Sequence, residues 1–167
     1  MSEPHSSVCS LQRCELMAVP KVLVVEDDGA IRTLVVAALK REPLEVHTAS
    51  DGLAALECVR ANDYAVILLD LMMPRLNGYE FLESLDSVRG DGEPVIIVMT
   101  AFDTMSLRKL PGNRVHAVLH KPFDVERVVD LVRDCAFVRG EERERNGESR
   151  TVPPPRATLP DEESPVC

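Results

Sequence analysis

The chain has 167 residues, of which 45% are hydrophobic and 28% are charged, enough for one ordinary domain with a buried core. Its formal net charge of −9 argues against nucleic-acid binding, which requires a cationic surface. No apolar run approaches the ~20 residues that span a bilayer, the N-terminus lacks a secretory signal, and the five scattered cysteines form no CxxC pair. We therefore predict a cytoplasmic protein with free thiols that binds no membrane.

Strands and helices are predicted to alternate from Lys21 onward. Short apolar runs predict buried strands, and apolar residues spaced i, i+3, i+4, i+7 predict helices that lie on a core. The predicted strands are 22–25, 44–48, 64–69, 94–99 and 115–119. The predicted helices are 31–39, 53–61 (capped by Ser50 or Asp51), one beginning after Gly78, a weaker one at 102–110, and one from 125 to about 138. This alternation predicts an α/β doubly wound fold: a five-stranded parallel sheet with helices on both faces.

The segments at both ends differ in composition from this pattern. Residues 1–19 show no lasting periodicity and are predicted to be a disordered tail, followed by one folded domain over residues 20–139. Residues 140–167 hold a charge run at 141–145 and three consecutive prolines at 153–155. With so few apolar residues this last segment cannot offset the entropy cost of ordering, so we predict that it is disordered.

Polar residues occur where the predicted strands end. Glu26 and Asp27 follow the first strand, Asp70 the third, Thr100 the fourth and Lys121 the fifth. Because the carboxyl ends of parallel strands meet at one edge of a sheet, these side chains are expected to share a crevice. Clustered carboxylates repel one another unless a cation lies between them, and Mg²⁺ prefers such oxygen ligands. Asp70 could then act as a nucleophile toward a phosphoryl group, with Thr100 and Lys121 donating to the phosphoryl oxygens.

Two residues near this cluster have plainer interpretations. Asp28 either caps the first helix, which begins near Gly29, or joins the metal ligands, and the sequence leaves both open. Gly78 is expected to permit a tight turn before the third helix.

Five motifs occur in order between residues 21 and 138: KVLVVEDD, VILLDLMMP, NGYEFL, VIIVMTA and HKPF. This stretch resembles the receiver domain of a two-component response regulator. The resemblance implies a flavodoxin-like fold of the receiver type, Mg²⁺ as cofactor, and a regulatory phosphoprotein in place of an enzyme. It also implies Asp70 as phosphoacceptor, phosphoryl contacts from Thr100 and Lys121, a cis peptide between Lys121 and Pro122, and Mg²⁺ ligands at Glu26, Asp27, Asp70 and the main-chain carbonyl of Met72.

The same resemblance implies the partners. A histidine kinase or a histidine phosphotransfer protein would donate the phosphoryl group. A downstream protein would bind the face made by the fourth predicted helix, the fifth strand and the fifth helix. Only about 29 residues follow the last predicted helix, too few for a DNA-binding or enzymatic output domain, so we predict a stand-alone receiver that signals by protein–protein interaction.

One departure from the family keeps a second function open. Receiver domains usually carry an aromatic residue three positions before the lysine, where this chain has Val118. A valine cannot rotate inward as an aromatic ring does, so a phosphorylation-independent adaptor on the receiver fold is the alternative. A phosphatase resembling the haloacid dehalogenase family is disfavoured, because the first strand ends in EDDGAIR without that family's DxDx[TV] signature.

Overall fold

The computed structural model describes residues 19–88, 93–101 and 114–145. The strands in these ranges are β1 (Lys21–Val25), β2 (Glu45–Ala49), β3 (Val66–Asp70), β4 (Val95–Thr100) and β5 (Val115–His120). The helices are α1 (Gly29–Leu39), α2 (Gly52–Ala61), α3 (Gly78–Val88) and a last helix (Val125–Arg145). The weaker helix predicted at 102–110 lies outside the described residues.

The five strands form one parallel sheet in the order β2-β1-β3-β4-β5. The chain runs outward from β1 to β2, then returns to place β3 on the other side of β1. The strand order therefore reverses between β1 and β3, and ligands of such sheets bind outside the carboxyl ends of the strands at this point. The predicted fold class is confirmed.

The sheet divides the core into two layers. Alternate strand side chains such as Leu23, Ile67 and Leu69 pack toward α2 and α3. The intervening ones, such as Val24 and Leu68, pack toward α1 and the last helix. All five residues of β3 are buried, which explains its continuous apolar sequence, since a central parallel strand is covered on both faces.

Polar side chains cap the N-termini of three of the described helices. Oxygen atoms of Asp28, Asp51 and Asn77 accept hydrogen bonds from backbone amides in the first turns of α1, α2 and α3. The Glu80 carboxylate accepts a hydrogen bond from the amide of Asn77 at 3.0 Å, which completes a capping box at α3. The structure thus gives Asp28 the capping role and selects Asp51 over Ser50 as the cap of α2.

Two of the boundary and cysteine predictions need correction. The last helix continues to Arg145, so its predicted end near Val138 is too early, and residues 140–145 are helical where disorder was predicted. Residues 1–18 and 146–167 lie outside the described residues. Cys135 is a buried free thiol, but Cys58 is disulfide-bonded, so the prediction of free thiols is wrong there.

Within residues 19–88, 93–101 and 114–145, no helix is both long enough and apolar enough to cross a bilayer.

Candidate active site at the carboxyl ends of the strands

Three carboxylates meet where the strand order reverses. Glu26 follows β1 directly, and its amide donates to the Ala49 carbonyl at 3.1 Å, which extends the β1–β2 pairing to this residue. Its side chain is fully buried, as is nearly all of Asp70 at the end of β3, whereas Asp27 is exposed. One carboxylate oxygen of each acid lies within 4.8 Å of the others. The predicted gathering of Glu26, Asp27 and Asp70 is therefore present.

The Lys121 ammonium lies between two of these acids. Its Nζ donates to Oε2 of Glu26 at 2.7 Å and to Oδ2 of Asp70 at 2.6 Å. The residue follows β5, and its amide donates to the Thr100 carbonyl at 2.8 Å, which ties the site to the end of β4. The Lys121–Pro122 peptide bond is cis, as predicted.

The charges in this cluster are unequal, with two buried acids sharing one ammonium. Burial raises the pKa of Glu26 above its usual value, and the neighbouring Asp70 charge raises it further, against the opposing hydrogen bond from Lys121. Burial by itself would lower the pKa of Lys121, but the hydrogen bonds to Asp70 and Glu26 outweigh it and raise that pKa. The lysine is therefore held in its charged form.

The loop after β3 holds the second oxygen of Asp70. The amide of Met72 donates to Oδ1 of Asp70 at 3.0 Å, and the amide of Gly78 donates to the Leu71 carbonyl at 3.1 Å. A Cβ on Gly78 would lie 2.5 Å from the main-chain oxygen of Asp70. Gly78 is the first residue of α3, and close approach of the backbone explains the glycine better than the tight turn predicted from the sequence.

Thr100 and Val118 lie on the neighbouring strands. Thr100 ends β4, is fully buried, and pairs in register with His120. Val118 pairs with Val98 in the middle of β5 and packs, half-buried, against the core layer of α2 and α3. The position that is usually aromatic in receiver domains is thus filled here by a small core side chain.

One contact to this site was not foreseen from the sequence. Nη1 of Arg32 in α1 donates to the main-chain carbonyls of Glu26 at 2.7 Å and Asp27 at 3.3 Å. Its guanidinium therefore fixes the backbone that carries both acids. The spacing of Arg32 from the acids offers only a weak signal, because its reach depends on how α1 leaves β1.

The cluster suits a divalent cation. Its available donors are oxygen atoms, which Mg²⁺ prefers, and one of the three acids, Asp27, is exposed to solvent. Mg²⁺ is commonly held by one or two carboxylates while it keeps several waters, so three carboxylates within reach are sufficient.

Residues 22–133 match the response regulator receiver domain family, and the chain belongs to this family. It is 37% identical over 131 residues to the response regulator MprA of Mycobacterium avium, an alignment that covers 77% of this chain and 55% of MprA. It is 41% identical over 81 residues to the transcriptional regulatory protein SrrA of Staphylococcus aureus, covering 48% of this chain and 32% of SrrA. The chain spans about half the length of the MprA proteins that it matches.

Solved structures show the same fold. The receiver domain of the Francisella response regulator 1452 superposes with a TM-score of 0.64 at 28% identity, covering 71% of this chain and 98% of that domain. The Vibrio cholerae chemotaxis protein CheY4 superposes with a TM-score of 0.63 at 28% identity, covering 71% of this chain and 99% of CheY4. The receiver domain of the sensor histidine kinase PA1611 from Pseudomonas aeruginosa superposes with a TM-score of 0.63 at 24% identity, covering 72% of this chain and 99% of that domain. That domain was solved with a magnesium ion coordinated in its active site cleft. At that identity the likeness to PA1611 concerns the fold.

Proposed function

We propose that this chain is a phosphoacceptor switch of a two-component phosphorelay, with Asp70 as the residue that receives the phosphoryl group. The observation that carries the proposal is the position of the Asp70 carboxylate. It lies at the point where the strand order reverses, hydrogen-bonded to the Lys121 ammonium and within reach of Glu26 and Asp27. Membership of the receiver family supports the same role.

In the proposed reaction, a carboxylate oxygen of Asp70 attacks the phosphorus of a phosphohistidine on the donor. A P–O bond forms, the P–N bond breaks, and its electron pair returns to the imidazole nitrogen. The Lys121 ammonium, already beside Asp70, offsets the negative charge of the incoming group. The Thr100 hydroxyl, at the end of the adjacent strand, donates to another phosphoryl oxygen. The chain acts as a regulatory protein, with only slow loss of its own phosphoryl group.

Mg²⁺ is the proposed cofactor, with ligands from Glu26, Asp27, Asp70 and the main-chain carbonyl of Met72. When bound, the ion supplies positive charge that offsets the charge of the transferring phosphoryl group. The three carboxylates within 4.8 Å of one another support this assignment. Arg32 contributes indirectly, since it holds the carbonyls of Glu26 and Asp27 and so orients both side chains.

The proposed donor is a histidine kinase or a histidine phosphotransfer protein, and the exchange takes place in the cytoplasm. The proposed output is the binding of another protein, without nucleic acid, to a face that includes β5 and the last helix. Relatives that are named response regulators support the kinase as partner.

A phosphorylation-independent adaptor remains the second candidate, and Val118 is the observation that favours it. A half-buried valine packed into the core offers no side chain that could rotate when Thr100 moves. In this alternative the acidic site has only a structural role.

Incubation with Mg²⁺ and a small-molecule phosphodonor, followed by intact-protein mass measurement, separates these functions. We expect a stable mass gain of one phosphoryl group, abolished in Asp70→Asn and retained in a control, Asp63→Asn, which alters an exposed acid. The absence of any gain would favour the adaptor. Continuous release of free phosphate at enzymatic rates would instead favour a phosphatase.

A further inference from the structure

The loop of residues 71–77, which joins Asp70 to α3, is attached to the start of α2 at two points. The amide of Gly52 donates to the Leu76 carbonyl at 3.1 Å. The second point of attachment joins the two residues that directly precede Leu76 and Gly52: the Arg75 guanidinium forms an ion pair with Oδ2 of Asp51. The loop that carries Met72 is thus bound to an element outside the acidic cluster.

Asp51 has more partners than a helix cap needs. Its side chain is 1% exposed, and Oδ1 alone accepts the two amide hydrogen bonds that cap α2. Oδ2 faces the other way, toward the hydroxyl of Ser50 at 3.2 Å and toward Arg75. A buried carboxylate is costly unless a positive charge compensates it, and Arg75 supplies that charge.

Arg75 also adopts an unfavourable backbone conformation. Its φ of 68° lies in the left-handed region, which glycine adopts readily and other residues rarely. The backbone alone would therefore favour glycine at this position. The side chain of Arg75, which is 61% exposed, makes a contact with Asp51 that a glycine at this position would lack.

The two segments also approach too closely for larger residues. A Cβ on Gly52 would lie 2.5 Å from the Leu76 carbonyl oxygen and 2.9 Å from a methyl carbon of its side chain. The loop therefore fits against the first turn of α2 with no room for a side chain on Gly52.

We propose that Arg75 and Asp51 are positioning residues for the phosphoryl-transfer site. Their ion pair holds the loop 71–77 against α2 and so fixes Met72 relative to Asp70, to which its amide is already bonded. Neither residue touches the reacting atoms. This inference rests on the proposed function, because it assigns to the ion pair the task of orienting the Mg²⁺ ligands Asp70 and Met72.

Mg²⁺ titration followed by backbone amide NMR shifts tests the proposal in four proteins: wild type, Arg75→Ala, Arg75→Lys, and a control, Arg41→Ala, which alters an exposed arginine after α1. We expect Arg75→Ala to weaken Mg²⁺ binding by about tenfold or more, the range found for residues that orient metal ligands. Arg75→Lys should restore part of the affinity, and the control should match the wild type.

Two further measurements separate positioning from general stability. Amide hydrogen exchange at Gly52 should accelerate in Arg75→Ala while exchange of the buried Ile67 in β3 stays unchanged. Arg75→Gly relieves the strained φ while it removes the guanidinium, so it should keep the thermal midpoint of the wild type and still bind Mg²⁺ as weakly as Arg75→Ala.

Each result decides between defined alternatives. Unchanged Mg²⁺ affinity in both Arg75→Ala and Arg75→Gly would overturn the positioning role while leaving the phosphoacceptor function intact. A loss of affinity that follows only the loss of thermal stability would also overturn it. A wild-type protein that binds no Mg²⁺ would refute the metal site itself, and the positioning role with it.

Discussion

At the scale of single residues, the arrangement around Lys121 sets the charge balance of the site. One ammonium serves two buried carboxylates, at 2.7 Å from Glu26 and 2.6 Å from Asp70. Both acids are also proposed ligands of Mg²⁺. If these acids hold Mg²⁺ as proposed, the ammonium and the metal would compete for the same negative charge, and the lysine would limit how tightly the metal is bound.

Lys121→Ala should consequently increase the affinity for Mg²⁺, by about tenfold, which corresponds to ~1.4 kcal/mol. The physical reason is the loss of a positive charge next to two of the proposed ligands. Calorimetric titration measures the effect, with Lys40→Ala, an exposed lysine after α1, as the control. Unchanged or weaker binding in Lys121→Ala would show that the ammonium helps to assemble the site and does not compete with the metal.

The residues of the candidate site could be predicted from the sequence because each lies at the end of a strand or within two residues after it. Alternation of elements places all strand ends at one edge, so Glu26, Asp70 and Lys121 had to meet there. Arg32 and Arg75 could not be predicted in this way. Their contacts depend on the path of a helix and a loop, which periodicity does not encode, and Arg75 in particular occupies a backbone region that its residue type rarely adopts.

At the scale of elements, α1 and α3 both begin with glycine for different reasons. A Cβ on Gly29 would meet only Nη2 of Arg32, at the ordinary contact distance of 3.7 Å. A Cβ on Gly78 would lie 2.5 Å from the Asp70 carbonyl oxygen and 2.8 Å from the Cα of Leu71. Backbone atoms cannot move aside as flexible side chains can, so of these two glycines Gly78 is sterically required and Gly29 is not.

Gly78→Ala should therefore destabilise the fold by about 1–3 kcal/mol, the usual cost of overpacking. Gly29→Ala, the matched substitution, should stabilise it by about 0.5 kcal/mol, because alanine has less conformational entropy to lose. Urea unfolding measures both changes in the free energy of unfolding, provided that its dependence on urea concentration has the same slope in each variant. Equal effects of the two substitutions would contradict the steric argument and indicate a general intolerance of alanine at helix starts.

The end of the last helix was not predicted correctly from the sequence. Its apolar residues end near Val138, and the charged residues that follow were interpreted as a disordered tail, yet the helix continues to Arg145. Glutamate and arginine are good helix formers, and propagation of an existing helix is far less costly than nucleation. Hydrophobic periodicity indicates which part of a helix packs on the core, so it does not detect a polar extension of the helix beyond that part.

At the scale of the whole molecule, the candidate site connects strands from both halves of the sheet. Glu26 and Asp27 follow β1, Asp70 ends β3, and Lys121 follows β5 and bonds back to Thr100 in β4. A cation bound to these acids would interact with the folded chain and not with the unfolded one. Binding should then appear as global stabilisation and not as a local effect.

Mg²⁺ should thus raise the thermal midpoint in a concentration-dependent way, with ~2.7 kcal/mol of stabilisation when its concentration reaches about 100 times the dissociation constant. A chelator should reverse the shift. Asp27→Ala should remove the dependence on Mg²⁺ and leave the metal-free midpoint nearly unchanged, since that side chain is exposed. Scanning calorimetry at constant ionic strength provides the measurement, and an equal shift with K⁺ would indicate general screening.

The bond between Lys121 and Glu26 joins residues 95 positions apart in the chain. During synthesis, β1 and its acidic turn leave the ribosome long before the fifth strand exists. Until Lys121 emerges, Glu26 and Asp70 lack the ammonium that balances their charge. The charge balance of the acidic cluster is therefore completed only once nearly the whole domain has been made.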